Sequence, residues 1–489
     1  MTETFDVAPG FLRMTDASEE RSWADYWNRR LLALGPQGFS EIHRRVQAES
    51  IEHGLWWEKR RGHKDILPLM CRPLLMDLSC RGYVHHVTWQ IRMGLRRLIN
   101  LMAVHPEVAE LVPLPPEEED WLSRYRRPLT HYEHPGGPRL FCRLDALVSF
   151  DGPGWRDTMK VMETNGIASG GIMYAPAAEE LFMELVAPLI TGDEDELALD
   201  RNADPRRLLY EELLRHARSL GTRGPPVIAL VDDKSLYTFG GEFGRLNAYY
   251  EKQGYTCLYV DPQEIEVDRG GRLHAQGQVV DLCFRFLDLP ELVELEARGQ
   301  DLTGVRHAFS QNLMVPSVGG DLEHKSVLEL FTNPDFAPLF SSEQRRVFLD
   351  HVLWTRLLFE RRTTLPDGKA VDLVEHARTH QEALVLKPNR GSGGEGVVMG
   401  AYVSPSEWQD SLDKALSRPK SHVVQSAARP QVQSFPERVS EELRLGPYYS
   451  TAGFFPCRTG LGVFGRYAKH PVVNLEQGGG VVPFLVNVR

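Results

Sequence analysis

Arg143, Asp145, Glu163 and Asn165 fall in two short stretches whose residue types and spacing could hold a divalent cation against a charged group. Residues 141–150 alternate as a strand does, residues 158–165 do so again, and 151–157 between them are dense in turn formers. A hairpin folded symmetrically about Gly154 sets Asp145 opposite Glu163 and Arg143 opposite Asn165. Side chains two apart on a strand share a face, as do opposed pairs, so all four project together. Opposed carboxylates repel unless something cationic lies between them. Carboxylate and amide oxygens are what Mg2+ prefers, with waters and phosphates completing its octahedron. The alternative is a solvated polar face whose Asp and Arg form surface pairs, and a one-residue slip would undo the shared face. The glycines within 166–171 suit close approach of backbone to a ligand.

A second constellation begins where the apolar run 383–386 ends in Lys387 and enters Pro388-Asn-Arg-Gly-Ser-Gly-Gly-Glu-Gly396. Backbone N–H groups of such glycines can turn inward around phosphate oxygens while a lysine supplies a point charge. Gly391, Gly393 and Gly396 match GxGxxG, but a dinucleotide-binding fold requires a helix directly after them. Here Val397, Val398 and Met399 follow, so the loop is expected to join two strands. The lysine precedes the glycines, which excludes a Walker A loop. The chain contains neither HRD nor DFG, which excludes a protein kinase. A purely structural hairpin is the alternative; Lys387 and Arg390 beside the loop favour a nucleotide-binding lid.

Other elements must position these two groups. From 1 to about 125 the chain reads as mostly helical, with Val87, Ile91, Leu95, Leu98 and Met102 marking one helix face. Pro115, Pro116 and the three glutamates after them look like a break before the next unit. His85 and His86 lie on the helical pattern with no third ligand nearby, and no chemistry is assigned to this region. Apolar runs at 227–231, 257–260 and 279–286, with helical character over 243–253, suggest a small parallel sheet. Residues from about 340 to 489 read as a further α+β portion. The expected division is a helical region 1–125, a metal-binding part 126–215, an α/β domain 216–320 and a nucleotide-binding portion 321–489.

A net charge of −11 leaves no general basic face for nucleic acid. The 42% hydrophobic and 25% charged residues fit a globular chain. The six cysteines are scattered without a CxxC pair, which argues for a reducing, cytoplasmic setting and against disulfides or a thiolate zinc site. No basic-then-apolar leader opens the sequence, and no apolar run approaches the roughly 18 residues of a membrane span.

Together these residues resemble the ATP-grasp superfamily in its circularly permuted form, as in glutathionylspermidine synthase and related bacterial proteins. Arg143-x-Asp145 followed by Glu163-x-Asn165 is similar to that superfamily's metal-binding signature, which here precedes the glycine loop instead of following it. The stretches 278–285, Asp321-Leu-Glu-His-Lys325-Ser-Val-Leu, Trp354-Thr-Arg356, Val423-Val-Gln425 and 474–480 add to the resemblance, which covers roughly residues 135 to 489. The N-terminal helical region falls outside it.

The resemblance implies an α+β/α/β fold: a circularly permuted ATP-grasp core, a small parallel-sheet pre-ATP-grasp domain and the N-terminal helical region. It implies that Asp145, Glu163 and Asn165 hold one or two Mg2+ ions bridging the phosphates of ATP, and that Arg143 stabilises charge developing on the transferred γ-phosphoryl. Lys325 and Lys387 would contact phosphates, and Arg466 is a weaker candidate for the same role. Gly391, Ser392, Gly393, Gly394 and Gly396 would form the lid, and backbone around 424–427, with Gln425, the adenine-recognising hinge. The implied activity is an ATP-dependent carboxylate–amine ligase forming an amide or peptide bond through an acyl phosphate, which a mobile lid would shield from water. No amidase domain with an N-terminal catalytic cysteine is found, so product hydrolysis is not expected, and glutathione and spermidine are not implied as substrates. Lys325 also reads as a surface position on a helix, Trp354 as core, and 478–480 as a turn before a last strand 481–488. Two other functions compete: a nucleotide-binding scaffold without turnover, which has no need of opposed carboxylates, and a phosphotransferase making a stable phosphate ester. The carboxylate, the amine and any homo-oligomeric state are not spelled out by loop residues.

Overall fold

The computed structural model describes residues 22–59, 61–126, 141–152, 154–167, 169–191, 198–391, 393–428 and 432–488. Ser392, the first part of the expected helical region and the start of the expected metal-binding part lie outside the described residues.

Two antiparallel sheets carry the residues singled out above. The larger has the order Gly480–Val482, Gly460–Ala468, Glu442–Cys457, Arg143–Leu147, Lys160–Asn165, with Val432–Val439 also paired to Glu442–Cys457. The smaller runs Thr355–Leu357, His422–Ser426, Leu384–Pro388, Val398–Met399. Leu144 and Ala146 point one way, into the core, which leaves Arg143 and Asp145 on the opposite face of the same strand. Beneath that core lies the helix Leu78–Val104, which buries Val87, Ile91, Leu95, Leu98 and Met102 as their spacing predicts. The N-terminal region is not purely helical: its strand Leu74–Asp77 pairs in parallel with Phe484–Asn487 near the other end of the chain.

The parallel sheet has the order Cys257–Val260, Ile228–Val231, Leu282–Arg285, Met314–Val315. Ile228–Val231 is buried at every position, as expected for a parallel strand covered on both faces. The expected strand 279–286 is really two. Gln278–Val280 belongs to a separate three-stranded antiparallel sheet, and Leu282–Arg285 alone enters the parallel one. Asp281 separates them, its carboxylate capping the Val227 N–H at 2.8 Å. The expected final strand 481–488 also divides, Gly480–Val482 and Phe484–Asn487 joining different sheets on either side of Pro483. The break expected at Pro115 and Pro116 is instead the start of a helix, Pro116–Tyr125. Its proline needs no N–H bond there, and its three first-turn glutamates suit the positive end of the helix dipole. No helix among the described residues is long and apolar enough to cross a membrane.

Candidate functional site

In the hairpin, Arg143 stands opposite Asn165 and Asp145 opposite Glu163, the register expected from symmetry about Gly154. The register shifts just beyond, between Asp145 and Ala146, and a short helix Trp155–Thr158 occupies the turn. Met162 is the extra residue of this bulge, and its carbonyl accepts a hydrogen bond from Gln425 Nε2 at 3.1 Å. Through that bond the two antiparallel sheets are tied together beside the polar face.

Arg143 Nε and Nη2 donate to Asp145 Oδ1 and Oδ2 at 2.7 and 3.0 Å. Arg466 Nη2 lies 2.9 Å from Oδ2, and Asn165 Nδ2 donates to the same oxygen at 3.2 Å. Burial alone would push the Asp145 carboxyl up, but the Arg143 and Arg466 guanidiniums overcome it and hold the group well below the usual carboxylate range. Glu163 Oε1 is 3.1 Å from Lys325 Nζ, which also donates to the Gly391 carbonyl at 2.7 Å. Lys325 therefore links the Arg143–Asn165 hairpin to the glycine loop. It is buried in a turn ahead of the helix Val327–Thr332, not on a helix surface.

The glycine loop joins two paired strands, with Val385 opposite Met399 and Leu386 opposite Val398. Gly391, Gly393, Gly394 and Gly396 all have positive φ. At Gly394 an added Cβ would come within 2.7 Å of Val472, so any side chain would be both strained and obstructed. Lys387 Nζ donates to Gln425 Oε1 at 2.7 Å. Burial lowers its ammonium to about 8, Lys325 adding to the effect while Glu163 and Asp145 oppose it.

One cavity of about 580 Å3 brings these groups together. Arg143, Asp145, Glu163, Asn165, Lys325, Lys387, Gln425 and Arg466 line it, with Gly391, Gly393 and Gly394. Gly396 does not; it sits against Pro388. Arg390 reaches the cavity, but its guanidinium is held by Glu118 at 2.7 and 2.8 Å, so it is no free phosphate cation. His85 and His86 lie elsewhere, facing the Cys457 carbonyl and Glu343. Trp354 is core.

Several contributors carried no sequence signal. Trp57, Glu58 and Lys59 line the cavity from the region given no chemistry. Glu58 accepts the N–H groups of Thr238 and Phe239, and Lys59 donates to the Glu476 carbonyl at 2.8 Å. Glu323 accepts the Gly166 and Ile167 N–H groups and so fixes the turn after Asn165. Burial pushes its carboxyl up to about 7 even so. Asp232 was discoverable, because it directly follows the apolar run of a parallel strand, where open α/β sheets bind ligands.

A nucleotide with Mg2+ fits the donor set. Arg466 Nε and Thr451 Oγ1, from cross-strand neighbours lining the cavity, are buried with no hydrogen-bond partner, as groups awaiting an anion are. Among the described residues no three His, Cys, Asp or Glu cluster into a complete metal cage. Two carboxylates and an amide suit an ion that keeps waters and phosphate oxygens in its shell.

No protein-family model matches the chain. It is 26% identical over 365 residues to a putative glutamate--cysteine ligase 2-2 of Frankia casuarinae, a match covering 69% of this chain and 37% of that relative. The chain thus spans little more than a third of that relative's length. Its fold is similar to a solved glutathione synthetase like-effector from Globodera pallida in the apoform, with a TM-score of 0.60 and 14% identity. That likeness covers 93% of this chain and 98% of the other.

Proposed function

We propose that this chain is an ATP- and Mg2+-dependent carboxylate–amine ligase, built as a circularly permuted ATP-grasp enzyme and acting through an acyl phosphate on a small-molecule or peptide carboxylate. The observation that carries the reading is the convergence of Asp145, Glu163 and Asn165 with Arg143, Arg466, Lys325 and Lys387 around one cavity. The ligase name of one relative and the glutathione synthetase-like fold of the other support it. Asp145, Glu163 and Asn165 would hold Mg2+, which supplies charge neutralisation between phosphates. Arg143 and Arg466 then balance the charge that moves with a phosphoryl group, and Lys325 and Lys387 orient it; such chemistry is positioning and electrostatics. The 391–396 loop, braced by Gln477 Nε2 on the Gly393 carbonyl at 3.0 Å, acts as the lid that excludes water. Six free cysteines, five of them buried, support a reducing cytoplasm.

The test is ADP release with Mg2+ and ATP against pooled amino acids, small carboxylates and polyamines, with product mass followed in parallel. ADP formed only when a carboxylate and an amine are both present, with a condensed product, is the expected result. A phosphorylated alcohol would overturn it in favour of a phosphotransferase, and Mg·ATP bound without turnover in any pool would favour a scaffold.

Lys387 gives this site a pH dependence of known sign. Its charge is present below about 8 and shed above, and a bound phosphate favours the charged form. ATP affinity is therefore expected to fall as pH rises from 8 toward the ordinary lysine range, by up to about tenfold per unit. Titration of a fluorescent ATP analogue between pH 7 and 10 reads this. Lys387→Met should bind weakly with a flat profile, and an equally flat wild-type profile would remove Lys387 from the phosphate site.

A further inference from the structure

The cavity has a second end, at the parallel sheet. That sheet begins at Ile228–Val231, adds Cys257–Val260 on one side and then Leu282–Arg285 on the other. The direction of winding thus reverses between Ile228–Val231 and Leu282–Arg285, and open α/β sheets bind ligands in the crevice beyond the carboxyl ends at such a reversal. The first residues past those ends are Asp232 and Phe286, and both line the cavity. Tyr237 and Glu242, at the start of the helix Gly241–Lys252, complete this end.

Two carboxylates here are in different situations. Glu242 is satisfied by the protein: it accepts the Gly171 and Met173 N–H groups at 3.1 and 2.8 Å. Gly170, the preceding residue, takes Arg143 Nη1, so this end adjoins the phosphate site. Asp232 has only 3% of its surface exposed. One oxygen takes the Asp233 N–H at 2.9 Å and the other only a long contact, 3.5 Å, from the Tyr259 hydroxyl. Lys234 close by is turned to Asp261 and Glu264 instead. Burial disfavours its charged form, and the nearby Glu291 and Asp233 carboxylates, both of its own sign, add to that. Among the described residues no lysine or arginine pairs with this buried carboxylate, which lines the cavity together with Tyr237. Buried charges are ordinarily paired, so a carboxylate placed this way suits a cationic ligand group.

We propose that this end of the cavity receives the amine substrate as its ammonium ion, held by the Asp232 carboxylate between the Tyr237 and Phe286 rings. The proposal rests on the ligase reading and assigns the substrate class of its second subsite: a compact primary amine, not an alcohol or a second carboxylate. Burial and the neighbouring acids push the Asp232 carboxyl up to about 7, a shift that a bound ammonium would reverse.

Saturation-transfer NMR on the full chain tests it with glycinamide and propylamine against the hydroxyl counterparts glycolamide and 1-propanol. The amines should receive saturation and the hydroxyl compounds should not, and Asp232→Asn should weaken amine binding at least about tenfold. Removing an unpaired buried charge should also leave the variant's unfolding midpoint at or above that of the parent. Equal binding of the hydroxyl compounds, no amine binding, undiminished binding in the variant, or a lowered midpoint would each overturn the subsite. Mg·ATP is titrated in parallel into the parent protein. Failure there refutes the ligase reading and leaves the amine result standing, whereas amine failure with Mg·ATP bound refutes only the subsite.

Discussion

Glu163→Gln is expected to lower ATP turnover by on the order of a thousandfold while the protein stays folded, and Asp145→Asn to lower it as far with a clear loss of stability. The size follows from what one preorganised charge contributes when phosphoryl transfer depends on neutralising negative charge. The difference in stability follows from the partners. Asp145 lies between the buried guanidiniums of Arg143 and Arg466 and accepts from both. An asparagine there keeps the shape but leaves two buried like charges with no anion between them, at a cost of about 3–5 kcal/mol. Glu163 is more open, its side chain 28% exposed, and Lys325 keeps its bond to the Gly391 carbonyl when the carboxylate is neutralised. Glu163→Gln is therefore the cleaner probe of the proposed metal site. ADP release and thermal unfolding of both variants check this, and full activity in both would sink the assignment of these residues.

The site's polar face was legible because its information is local. Residues 141–150 and 158–165 alternate, and a turn-rich stretch between them fixes which carboxylates meet. Lys387 and its glycines were legible for the same reason, since β-like residues on both sides of the loop allow only a strand-to-strand connection. The bulge at Met162 was not, because one extra residue leaves the four polar positions unaltered, and the partner of its carbonyl, Gln425, lies far along the chain. Arg390 misled on similar grounds. It stands beside Lys387 and the glycine loop in sequence, yet its partner Glu118 comes from a helix 272 positions away. Trp57, Glu58 and Lys59 have no periodicity to read; in the fold Glu58 caps the 238–239 backbone and Lys59 reaches the 476 carbonyl.

Arg285 and Asp321 show how two motifs with no chemistry of their own can hold a site together, and their removal is expected to cost the fold more than any surface change. All five guanidinium N–H donors of Arg285 are used. They go to both Asp321 oxygens and to the carbonyls of Pro316, Ser317 and Leu287, and Arg285 is 1% exposed. Asp321 also accepts the Leu289 N–H at 2.8 Å. Burial pushes the Asp321 carboxyl up against the pull of the Arg285 guanidinium, and a buried pair of this kind need not add net stability. Its effect is to fix the parallel sheet against the stretch that carries Glu323 and Lys325. Arg285→Met or Asp321→Asn alone should destabilise by about 3–5 kcal/mol, because each leaves an uncompensated buried group, whereas replacing both with apolar residues should recover much of that loss. Urea unfolding of the two single variants and the double variant measures the coupling, and simple additivity would refute it. The functional consequence is separate and also measurable. With Asp321 released, Lys325 loses its fixed approach to Glu163, so Mg·ATP affinity should fall in each single variant although neither residue reaches the phosphate end of the cavity.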